Sequence, residues 1–265
     1  MRDLPVRGPG VRELALPLPP GRMAPLRARR PLKRWRYLGV YRHDVMLCVG
    51  DARVAGVPER WWAVALPEGT LLEGTRGVEF SGGWARVRGV LELRLDGGES
   101  MEVVSPHGRS YIWTRKRAPV HVSGRVTAEG RSFDIDGDDG FLDESAGYHA
   151  RHTAWRWSAG LGRADDGRRV AWNLVDGVHD APSASERTVW VDGEPREVPH
   201  QEFAADLSAV GGLRFREWSA RESSLNLLVM RNRYRQPFGE FSGELPCGLR
   251  LAEGYGVMEE HDVRW

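Results

Sequence analysis

The chain has 265 residues, 41% of them hydrophobic and 28% charged, enough for two ordinary domains or one large all-β unit with a buried core. Its net charge of +1 excludes the strong electrostatic attraction that nucleic acid or an anionic membrane calls for. Cys48 and Cys247 lie far apart and outside any C-x-x-C spacing, so neither a disulfide framework nor a structural zinc site is expected.

Residues 1–32 are rich in proline and arginine and read as an extended N-terminal arm, a solvated linker rather than a phosphate-binding face. They lack the apolar core of a signal peptide, and no run approaches the ~20 apolar residues of a membrane span. A cytoplasmic protein without stable membrane insertion is expected. From Lys33 onward the dominant period is two. In "ARVRGVLELRLDGGESMEVV", Val87, Leu91, Leu93 and Leu95 share one face, while Arg88, Glu92 and Arg94 take the other. Asp96-Gly97-Gly98 then supplies the positive φ of a hairpin turn. "DIDGDDG" (residues 134–140) evokes a calcium loop, but the sixth and twelfth positions hold Asp139 and Ser145, so an acidic turn is the reading.

"DESAGYHARHTAWRW" (residues 143–157) crowds two carboxylates, two imidazoles and two indoles together. Next, "LGRADDGRRVAWNLV" predicts a hairpin pairing Trp155–Leu161 with Val170–Val175, which places Trp172 and Leu174 opposite Trp155 and Trp157. "RTVWVDGEPREV" predicts another, with Asp192-Gly193 as its turn and Pro195 marking the return as an edge strand. One helical candidate, "PHQEFAADLSAV" (residues 199–210), stands out. At the far end, "MEEHDVRW" sets Glu259, His261 and Val263 on one face. Turn signals roughly every ten residues and the lack of crossover helices give an all-β fold. It is read as two antiparallel β-barrel or sandwich halves packed together, 33–142 and 143–265.

Five landmarks occur in order: "KRWRYLGVY" (33–41), "DESAGYHARHTAWRW" (143–157), "VAWNLVDG" (170–177), "FGEFSG" (238–243) and "GVMEEHDVRW" (256–265). Together, from about residue 12 to the C-terminus, they resemble the bacterial domain of unknown function 2804 family. That resemblance implies a mostly β protein and brings no agreed activity. A looser similarity links the arrangement to lipocalin-like double-barrel proteins of the carotenoid 1,2-hydratase and tocopherol cyclase type. These act on polyene-like or isoprenoid molecules; such a link is fold-level analogy and matches no catalytic residue here.

The residues themselves allow related chemistry. Hydrating or cyclising an alkene requires a desolvated acid and a surface that stabilises a cation, and indole faces supply the second. The eleven tryptophans either fill a core or wall a cavity for an oily guest. Asp143 is a candidate proton donor or orienter, or a structural turn carboxylate. His149 is a candidate relay, with Glu259 as a further catalytic carboxylate. Tyr37, Tyr148, Arg151, Trp155, Trp157, Asn173 and His261 are the candidate binding residues, Arg151 sharing a face with His149. Neither a metal nor a cofactor is predicted: the zincin, P-loop, dinucleotide and G-x-S-x-G patterns are all missing. Two readings follow. One is an enzyme of hydratase, cyclase or isomerase type acting on an apolar, unsaturated small molecule; the other is a non-catalytic carrier of such a ligand.

Overall fold

The computed structural model describes residues 4–227 and 230–264; Trp265, the last of the tryptophans, lies outside them. The chain is all-β and antiparallel, as the period-two pattern predicts, in two large sheets. In the first, Met46–Val54, Lys33–Tyr41, Arg131–Gly147 and Ser110–Ala128 lie side by side. In the second, Arg169–Asp176, His152–Ala164, Arg250–Arg264 and Met230–Glu244 do the same. The first sheet rolls on itself, so that Val78 and Phe80 from one end pack in the same cluster as Leu47, Val49 and Val64 from the other. Among the described residues neither sheet closes into a hydrogen-bonded ring. Among the same residues, no helix is long and apolar enough to cross a membrane.

Alternation divides the interior into layers. Leu38, Val40, Leu93 and Leu142 fill the first sheet's concave side, and Trp172, Leu174, Val189, Phe241 and Met258 fill the second's. Between the sheets a third cluster joins Tyr37, Tyr41 and Phe141 to Trp157, Trp190, Trp218 and Val257. The N-terminal arm is docked rather than solvated. Val11, Leu18 and Met23 are buried against Tyr111, Trp113 and Tyr148, and Arg7 donates to Thr188 Oγ1 at 2.9 Å.

Two predicted hairpins form. Trp157 pairs with Val175 and Leu161 with Ala171 in one. In the other, Asp192 and Gly193 take φ 50° and 89° at the turn into the edge strand Glu194–Glu197, where Pro195 removes no internal bond. Gly97 and Gly98 do adopt positive φ, but the strands they join do not pair with each other. Leu91–Asp96 and Ser100–His107 both pair with Ser110–Ala128, on either side of Pro119, whose missing N–H interrupts that long strand.

Three further expectations are corrected. In the second sheet the register opposes Trp172 to Gly160 and Leu174 to Ser158, so these residues point away from Trp155 and Trp157 into the other core layer. Residues 199–210 form no helix: Leu207 takes φ 61°, and Asp206 accepts the Ser208 N–H in a turn, while Phe203 and Leu207 still bury their side chains. The acidic run 134–140 is a stretch of the strand Arg131–Gly147, opposite register shifts near Val120.

Gly160 is needed for close approach. A Cβ there would stand 2.2 Å from Cζ2 of the fully buried Trp172. Gly160→Ala is expected to cost ~1–3 kcal/mol by overpacking, read as a lower urea midpoint at unchanged slope.

Candidate functional site between the sheets

On the inner face of the first sheet the register aligns Lys116 with Asp143 and Asp143 with Tyr37. On the facing side of the second sheet, Trp157 opposes Glu259, Trp155 opposes His261, and His261 opposes Tyr234. Period-two alternation therefore delivers these side chains into one layer, although they come from strands far apart in sequence.

The layer holds an unusual density of buried ionisable groups. Lys116 Nζ lies 2.7 Å from Asp143 Oδ1 and 3.5 Å from Glu186 Oε2, so one ammonium serves two carboxyl groups. Burial opposes its charge, but Asp143 and Glu186 outweigh burial and leave the Lys116 pKa raised. Burial pushes Glu186 up, Lys116 pulls it down, and Asp143 adds to the upward push; the net direction is up. Asp143 Oδ2 also accepts the Trp35 indole N–H at 3.4 Å. Both Asp143 oxygens thus face donors.

Glu259 is held by a different set of partners. Its Oε1 accepts the Trp155 indole N–H and its Oε2 accepts the Gln236 amide, each at 2.8 Å. Burial raises its pKa to about 7, with the Trp155 and Tyr234 hydrogen bonds pulling the other way. A carboxyl poised there can give or take a proton near neutrality. Trp155→Phe removes one stabilising donor and is expected to move the Glu259 midpoint above about 7, read by carbon-13 NMR of the carboxyl.

Aromatic rings surround this group. Trp35 and Trp155 lie parallel, 6° apart in plane and 6.5 Å between centroids. His149 sits 5.0 Å from Trp35, and His261 sits 4.3 Å from Trp155. Trp35, Trp155, Tyr234 and His261 are partly exposed, whereas Trp157, Asp143 and Glu259 are buried, so the cluster meets solvent at an aromatic rim. Lys116 Nζ lies 5.7 Å from the Trp157 ring centroid. Burial, then Lys33 and His107, drives the His149 pKa well down, so its imidazole is neutral. The Nε2 atoms of His149 and His179 are buried with no hydrogen-bond partner among the described residues, and orphaned polar atoms of this kind are rare in native folds. Burial likewise takes His261 down to about 4; its Nε2 meets Asn232 Oδ1 at 2.6 Å.

The structure thus brings Asp143, His149, Glu259, Tyr37, Trp155, Trp157, Asn173 and His261 into one layer. Asn173 Oδ1 accepts the Trp157 indole N–H at 2.8 Å, and its Nδ2 donates to the Glu186 carbonyl at 2.8 Å. Tyr37 and Tyr41 bring their buried hydroxyls to 3.2 Å. Two predicted residues lie elsewhere. Tyr148 donates to the Ala24 carbonyl and stacks edge-on against Tyr111 beneath the arm. Arg151 is exposed in the connection between the sheets, where strand alternation with His149 does not apply. Lys116, Glu186, Trp35, Gln236 and Tyr234 escaped the sequence reading.

Of the clefts that open on the molecule, two of about 380 Å³ each are lined by neither Trp155 nor Trp157. Asp176, Asp180 and His200 bring possible metal-ligand atoms within 4.8 Å of one another, but Asp180 already accepts from Arg187 and stands 3.3 Å from His200.

These features define an all-β protein with a buried ionisable layer between two antiparallel sheets. The chain belongs to the family described as domain of unknown function (DUF2804), whose profile matches residues 70–265. A search among curated proteins found no match. Among solved structures it is similar to an AttH-type protein of Nitrosomonas europaea, at 13% identity and a TM-score of 0.44 over 92% of this chain and 98% of that one. It is also similar to CghA with Sch210972, at 12% and 0.42 over 95% and 96%. A third similarity is to kievitone hydratase from Nectria haematococca, at 7% and 0.40 over 88% of each chain.

Proposed function

We propose that the inter-sheet layer binds an apolar, unsaturated small molecule against its aromatic rim and carries out cofactor-independent acid–base chemistry of the hydration, cyclisation or isomerisation type. The observation that carries this reading is the burial of three carboxyl groups and the Lys116 ammonium among indole rings, with Glu259 accepting from the neutral Trp155 and Gln236 donors. Protonating an alkene carbon needs a carboxylic acid that burial keeps protonated, and Glu259 supplies it. The Trp155 ring, fixed by its hydrogen bond to the same carboxyl, offers a π face to the cation that forms. His149, neutral and with an open Nε2, takes a proton at the other side of the Trp35–Trp155 pair. Asp143 and Lys116 orient Trp35 and hold the layer's charge balance.

Incubation with a bacterial metabolite extract, followed by mass spectrometry of what is retained, tests binding. The wild-type chain is expected to retain an unsaturated apolar compound that the Trp35→Ala and Trp155→Ala variants lose. Equal retention by those folded variants, or no retention by the wild type, contradicts the reading. A compound retained and returned unchanged identifies a carrier instead.

A further inference from the structure

The cleft on the opposite face of the first sheet has a different chemistry. Arg36 and Glu144 alternate with Tyr37 and Asp143, so they point away from the inter-sheet layer. One cross-strand row there reads Arg115, Glu144, Arg36, Asp51, Arg60, with signs alternating at every step. Both carboxylates in it are already matched: Glu144 lies 2.5 Å from Arg115 and 3.7 Å from Arg36, and Asp51 lies 3.1 Å from Arg60.

The next row breaks the pattern. Ala146 opposes Arg34, and Arg34 directly opposes Arg53. Like charges directly opposite each other on adjacent strands are destabilising unless an anion lies between them. Both arginines are exposed, both line the cleft, and neither has a carboxylate within 4.0 Å among the described residues. The cleft therefore gathers four guanidinium groups against two carboxylates in a chain whose net charge is only +1. Its remaining lining is mostly apolar, with Ser145 the polar exception. Trp113 and Phe80 are nearly fully buried, Arg36 stacks 4.2 Å from the Phe80 ring centroid, and Pro19 and Pro20 of the docked arm complete the rim.

We propose that this cleft binds a small organic oxyanion, a carboxylate or phosphate borne on a flat apolar group. Arg34 and Arg53 clamp the anion while Trp113, Phe80 and the two prolines receive the flat part. Guanidinium groups suit this task because their planar donors match an oxyanion in bidentate fashion. Trp35 borders both this cleft and the inter-sheet layer, so the test rests on Arg34 and Arg53.

Calorimetric titration with phenyl phosphate, benzoate, inorganic phosphate and phenol tests the assignment. The two aromatic anions are expected to bind at least tenfold more tightly than inorganic phosphate or phenol. Arg34→Gln and Arg53→Gln are each expected to weaken them about tenfold or more, whereas Arg94→Gln, on the exposed face of another strand, leaves them unchanged. Without ligand, Arg34→Gln is expected to raise the melting temperature by relieving repulsion, which a merely structural arginine would not do. Absence of binding to the wild type, equal affinity for phenol, or unaltered binding by both variants would overturn the proposal.

Discussion

Lys116→Met is expected to lower stability by ~3–5 kcal/mol, the cost of leaving buried charge without its partner. The Lys116 side chain is 4% exposed, and its ammonium is the cation placed against both Asp143 and Glu186. Methionine preserves the volume of the stem, so the loss isolates charge from packing. The remaining carboxyl groups must then either stay ionised without compensation or take up protons. The single variant should therefore recover part of its stability as pH falls. Adding Asp143→Asn and Glu186→Gln to Lys116→Met is expected to restore much of the loss, because no charge then remains to be matched. Urea unfolding at pH 7 and 5 measures both effects. A single-variant loss below about 1 kcal/mol would mean that water already solvates this layer.

Glu259→Gln separates titration from shape. The amide keeps an acceptor for the Trp155 N–H but holds no exchangeable acid. In the wild type, the folded chain keeps the Glu259 proton up to about 7, while the unfolded chain releases it near 4.5. Between those values the native state binds more protons than the unfolded state, so this group's stabilising contribution is full below 4.5 and is lost as pH rises through 7. The shift corresponds to about 3 kcal/mol. Buried His261, with its folded pKa near 4, works in the opposite sense across part of the same window. The difference between wild type and Glu259→Gln isolates the carboxyl: the variant is expected to lose the destabilisation on raising pH from 5 to 8. As a general acid, Glu259 should also give activity that falls as pH rises through about 7 and that the variant lacks at every pH.

Much of the fold was legible because side-chain alternation is a local property. Leu91, Leu93 and Leu95 could be assigned to a buried face without knowing their partners, and Asp192-Gly193 carried its own turn geometry. Asp143 was visible in the crowded run 143–157, and Glu259 and His261 as alternate residues on one face of the last strand. Register is not local in the same way. The pairing of Trp157 with Val175 and with Glu259 depends on turn geometry and on a strand about a hundred residues away, so Trp172 was placed on the wrong face. Lys116 was hidden in the charged run Arg115-Lys116-Arg117, where nothing distinguishes the one side chain that turns inward. Glu186 lies in an irregular segment rich in serine, which carries no period from which burial could be read. Residues 199–210 followed an amphipathic spacing, but turn chemistry at Asp206 and Leu207 prevailed over helix propensity.

The direct measurement is conversion, by wild type and by Glu259→Gln, of whatever unsaturated compound the chain retains from a metabolite extract. The account predicts that both bind it, that the wild type releases an isomer or hydrate, and that the variant returns it at least a hundredfold more slowly. Undiminished conversion by a folded Glu259→Gln would place the chemistry elsewhere and contradict the account.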